Sequence, residues 1–191
     1  MLATALEIFF GNFGFAMLIL ALVLAAALTY AQRSRPQATR LSFAEQTFRW
    51  VSLLAAGFTG LYTFVFHVFF PASAAAHIGW ATSPFQYEVG MADLTIGVLG
   101  VLAFRGSLGF RLATTLAAIT WLGGDAVGHV RQIVEAQNFA PGNAGSWLWV
   151  DILVPLVMAV SLAACWRQTH AAPRRRSAAR RELDRTAHAA Y

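Results

Sequence analysis

The residues of this sequence whose types could do chemistry are six ionisable side chains set in apolar surroundings: His67, Glu88, Asp93, Asp125, His129 and Asp151. Each lies inside, or at the edge of, a stretch apolar enough to cross a lipid bilayer. A charge-bearing group in such a stretch is costly, so it faces a bundle interior or a wet cavity and usually serves an ion or proton path. Carboxylates offer hard oxygen ligands to cations. Histidine adds a group that titrates near neutral pH and can ligate a transition metal.

Spacing brings some of these groups onto common faces. Asp125 and His129 are separated by one helical turn, with Gly124 and Gly128 beside them, a pattern expected to let a neighbouring helix approach closely. Ala56, Gly60, Thr63 and His67 form a second stripe that ends on the histidine. Asp93, Gly97 and Gly100 share a third face, whereas Glu88 points well away from Asp93 and belongs at a rim. The helix-packing glycines are thus expected at Gly60, Gly97, Gly100, Gly124 and Gly128. Pro155 cannot donate to the carbonyl of Asp151, so position 151 offers both a carboxylate and an unpaired carbonyl. A hydrated pocket or a bound cation would satisfy that carbonyl, which otherwise costs several kcal/mol in lipid.

The elements that must position these groups are helices. Five apolar stretches, roughly 8–31, 48–70, 86–104, 109–133 and 147–166, are each long enough for a hydrocarbon core of about 30 Å. The chain is 58% hydrophobic and 12% charged, and a water-facing surface cannot be clothed with so little charge. Its fourteen basic residues are all arginine. Arg33, Arg35, Arg40 and Arg49 fall around the first connection, Arg105 and Arg111 in the third, and seven more follow the fifth stretch from Arg167 to Arg185. Connections 71–85 and 134–146 contain none, and Arg131 is alone at its helix end. That alternation predicts five transmembrane helices with the N-terminus outside and the C-terminus in the cytoplasm. At 1.5 Å per residue, all six ionisable groups then lie within about 12 Å of the outer boundary, which predicts an outward-facing polar pocket. The first stretch has Glu7 before it and arginines after it, the reverse of a cleavable signal.

Residues 1–47 form a first helix with an arginine-rich connection, 48–168 a four-helix bundle, and 169–191 a basic tail expected to be disordered against anionic lipid headgroups. The net charge of +5 is accordingly read as topology and lipid contact, and not as nucleic-acid binding. Trp80, Phe85, Tyr87, Trp147 and Trp149 mark one water boundary and Tyr30, Trp50 and Trp166 the other, while Trp121 falls near mid-span. His77 reads as a solvated loop residue. Cys165 is the only cysteine, which excludes an internal disulfide and a paired-thiol site. No phosphate loop, HExxH or serine elbow is present.

From His67 the sequence runs HVFFPASAAAHIGWATSPFQYEVGMADLTIGVLG, followed by FRLATT, GDAVGHVRQ, NFAPGNAG and WVDILVP. Over about residues 58–160 this resembles a bacterial and archaeal membrane family, domain-of-unknown-function family 6790, whose members share HxFxP, IGW, SPFQxEVGxAxL, GHxxQ and APGNAG followed by an aspartate. Where that family commonly has Asn at 93 and an apolar residue at 125, this chain has Asp93 and Asp125, which makes its pocket more acidic. More remotely, the layout is similar to the DoxX-like four-helix membrane proteins, in which a glutamate opens a glycine-rich helix, here Glu88 to Gly100. That similarity implies a fold, with the last four helices as the shared bundle.

Three functions fit these residues. In the first, the pocket binds a cation or proton and couples it to a small solute or a partner, in a homo-oligomer or with a second membrane protein. In the second, the chain is a membrane subunit of an oxidoreductase in which His67, His129 and carboxylates hold a metal or line a quinone site. In the third, it is a non-catalytic assembly factor, its Asp–His contacts only locking helices at roughly 0.6 kcal/mol each. No particular cofactor or metal is singled out.

Overall fold

A computed structural model describes residues 8–189, with side chains placed through 169, and all regular structure among the described residues is helical. Helix α1 spans Phe13–Ala31 and is followed by two single turns of 3-10 helix. Ser42 opens α2 (Phe43–Trp50) by accepting a bond from the Glu45 amide, the S-x-x-E spacing of a capping box. The chain then passes through a π-helical stretch, Val51–Phe58, straight into α3 (Thr59–Phe69). Pro71 starts the short α4 (Pro71–Ile78), which Gly79 ends with a left-handed φ of 72°. Then come α5 (Phe85–Ala103), α6 (Leu108–Ala136), the single turn α7 (Pro141–Ala144) and the long α8 (Ser146–Ala189). Three segments are long and apolar enough to cross a membrane: Phe13–Ser34, Gln37–Phe69 and Pro141–Thr169.

The tightest pairing is α3 and the π segment against α5, and it is made by glycine. A Cβ at Gly60 would lie 2.7 Å from the Asp93 carbonyl oxygen and from the Gly97 nitrogen, and one at Gly100 would lie 2.6 Å from the Gly57 nitrogen. Backbone therefore rests on backbone, the arrangement by which helices gain van der Waals contact when lipid provides no hydrophobic drive. The wider turns of the π stretch occur at this contact, where Gly100 also meets the Ser52 carbonyl. Gly124 has nothing within 4 Å of its would-be Cβ and Gly128 only the Trp80 ring at 4.0 Å, so the close approach expected there is absent. A glycine pair permits a neighbour without supplying one.

The apolar core lies between α1, α2, the π stretch and α8, where Phe48, Val51, Val154 and Met158 are fully enclosed. Large apolar side chains also cover the outside: Val23, Val127 and Val160 are each more than half exposed. Such a surface suits hydrocarbon and not water. Beyond Thr169 the backbone of α8 continues helical to Ala189, through the segment expected as a disordered tail.

At one end of the bundle, Arg111 is buried and its guanidinium makes four hydrogen bonds. It donates to both carboxylate oxygens of Glu45 at 2.8 and 3.0 Å, and to the carbonyls of Ala103 and Phe104 that end α5. Arg49 donates to the same carboxylate at 2.6 Å. One ion network thus ties α2, α5 and α6 together.

Candidate functional site

At the opposite end, the helices enclose a cavity of roughly 450 Å³. It is walled by the end of the π stretch, α3, the C-terminal half of α6 and the N-terminal halves of α5 and α8. His67, Asp93, Asp125, His129 and Asp151 all line it. Glu88 does not and is exposed, five positions from Asp93 and on another face of α5. His77, expected in a solvated loop, lies on α4 at the cavity mouth.

Asn143, on the single turn α7 within APGNAG, organises the site. It is fully buried, and its amide nitrogen donates to the carbonyls of Asn138 and His129 at 2.9 and 3.3 Å. Those two bonds fix which end of the amide is oxygen. The oxygen Oδ1 accepts from Trp80 Nε1 at 3.2 Å and lies 2.8 Å from His129 Nδ1. An amide oxygen can only accept, so Nδ1 of His129 carries a hydrogen. A neutral imidazole has one, which leaves Nε2 as a lone pair.

That lone pair faces Asp151. Nε2 and the carboxylate oxygen Oδ2 are 3.5 Å apart, the Asp151 side chain is 91% buried from its 9% exposure, and it has no hydrogen-bond donor among the described residues. Two acceptors facing each other in a poorly solvated site repel. A proton on either group, or a cation between them, converts the contact to an attraction. Asp93 is better provided for, since Trp121 Nε1 donates to its Oδ1 at 3.0 Å. This bond explains the tryptophan at mid-helix. Asp125 has no hydrogen-bond or ion-pair partner among the described residues, and His67 Nδ1 pairs with the Gln86 side-chain oxygen. Gln86 is buried and carries no charge, so nothing in hydropathy or charge spacing marked it.

Aromatic rings complete the walls. Tyr62 donates to the Phe10 carbonyl at 2.8 Å and Trp147 to that of Gly11, also at 2.8 Å, which closes the start of the chain over the site. Tyr62 and Trp147 are nearly parallel with centroids 6.2 Å apart. The α4 and α7 segments meet above them: a Cβ at Gly142 would be 2.7 Å from the His77 carbonyl oxygen, and Asn138 donates to the Ile78 carbonyl at 2.9 Å. These two connections form a joined cap, held by more than ordinary turns would require.

The molecule is therefore an all-helical protein with membrane-length apolar helices and a polar cavity at one end of its bundle. It belongs to the Family of unknown function (DUF6790), whose family model matches residues 11–171. No curated protein and no solved structure matches the chain.

Proposed function

We propose that the chain is a five-span membrane protein whose cavity opens to the outer side and binds a proton or a cation, coupling it to a small solute or a partner protein. The observation that carries this reading is the facing pair of acceptors, His129 Nε2 and Asp151 Oδ2, which is complete only with a positive charge between or upon them. The remaining charged groups support it. Asp93 from α5 and Asp125 from α6 face the same space, with His67 and Tyr62 from α3 and His77 from α4 as the other titratable groups. Three carboxylates in one poorly solvated cavity repel unless protons or cations balance them. Purified protein tests this by mass action: a cation or proton that binds only the folded state raises its melting temperature.

The orientation in this proposal rests on the arginines. Connections rich in them alternate with connections that lack them, which sets the N-terminus outside and the tail inside. A phosphatase that works only in an oxidising outer compartment is expected to be inactive when fused at 168 and active when fused within 72–80. The reverse pattern would discard the orientation.

A further inference from the structure

We infer that the ligand of this cavity is a small protonated organic amine. This deepens the proposed function and rests on it. Among the described residues, no three His, Cys, Asp or Glu side chains converge closely enough to hold one metal ion. The negative groups are instead spread around a space of roughly 450 Å³. Small-molecule sites run from about 300 to 1,000 Å³, and a water in the liquid occupies only about 30 Å³. A bare inorganic cation would leave most of this room to be filled.

The walls match an ammonium group carrying hydrocarbon. Tyr62, Phe66, Trp80 and Trp147 supply ring faces and edges, which attract cations and shed water from alkyl groups. The acceptors match the hydrogens of an amine. His129 Nε2 and Asp151 Oδ2, 3.5 Å apart, can each accept an N–H from one nitrogen that caps the pair from the cavity side. Asp125, without a partner among the described residues, offers a further carboxylate. A quaternary ammonium would gain the ring contacts but satisfy neither acceptor, so the geometry selects an N–H-bearing cation.

Cyclohexylammonium and cyclohexanol provide the test, because they share a ring and a polar head and differ in charge. At millimolar concentration and equal micelle loading, cyclohexylammonium is expected to raise the melting temperature of the full-length, detergent-purified protein by several degrees, and cyclohexanol is not. In Asp151→Asn the half-maximal concentration should rise by about tenfold or more, the scale of one lost charge-assisted hydrogen bond. The wild-type comparison stands alone if that variant does not fold. Equal stabilisation by amine and alcohol, or an amine response unchanged in Asp151→Asn, overturns the inference. Stabilisation by sodium, protons or divalent ions without any response to the amine overturns it too, while leaving the cation reading in place. Indifference to all of them removes both.

Discussion

Glu45→Gln lowers the stability of the protein by about 3–5 kcal/mol, the cost of leaving a buried guanidinium without its counter-ion. The partner left behind is Arg111, whose side chain is 5% exposed and which exchanges two hydrogen bonds with Glu45. Arg111 cannot withdraw to water, because its other donors hold the carbonyls of Ala103 and Phe104 at the end of α5. Gln keeps the shape and one acceptor but not the charge, so the loss reports electrostatics and not a cavity. Arg49→Gln should cost far less, since its side chain is 28% exposed and solvent screens the pair. Thermal unfolding of both variants checks this. A loss below about 1 kcal/mol for Glu45→Gln would show that water reaches Arg111.

Asn143→Ala is expected to cost about 3 kcal/mol or more, since it strands several buried groups at once. Trp80 Nε1 and His129 Nδ1 lose their acceptor, and the carbonyls of His129 and Asn138 lose their donor. The substitution also frees the His129 tautomer, so any stabilisation by cations should weaken along with the fold. Asn143→Asp keeps the acceptor but loses both donated bonds and buries a charge, and it should be at least as damaging. A variant with near wild-type stability would mean that the cap over the cavity is held by other contacts.

Glu45, Arg111 and Asn143 show where reading the sequence stops. Arg111 lies in the first turn of α6, where sequence alone groups it with Arg105 as a topology signal, and the chain does not announce that α6 begins by folding this side chain back under α5. Asn143 lies in APGNAG, where asparagine is an ordinary turn residue, and its four hydrogen bonds depend on segments as distant as Trp80. The charged residues of the cavity are legible in the sequence, because a carboxylate in an apolar run stands out at once and helical direction gives its depth. Asp93, Asp125, His129 and Asp151 are visible that way. Gln86 and Trp121, which complete the hydrogen bonds of His67 and Asp93, are not. The glycines divide for a related reason. Gly60 and Gly97 stack on each other's backbone and Gly100 on that of Gly57, while Gly124 and Gly128 look alike in sequence and meet open space or a ring edge.

The proposed completion of the cavity by a positive charge is tested by the melting temperature of purified wild-type protein titrated with protons, sodium and divalent cations, beside an Asp125→Asn, Asp151→Asn double variant. The wild type is expected to rise with at least one of these ions as the logarithm of its concentration beyond saturation of the site, and the double variant to fold and give a flat response. A wild type indifferent to every ion, alongside a double variant of equal stability, would contradict the account and leave the Asp and His side chains as supports for the helices alone.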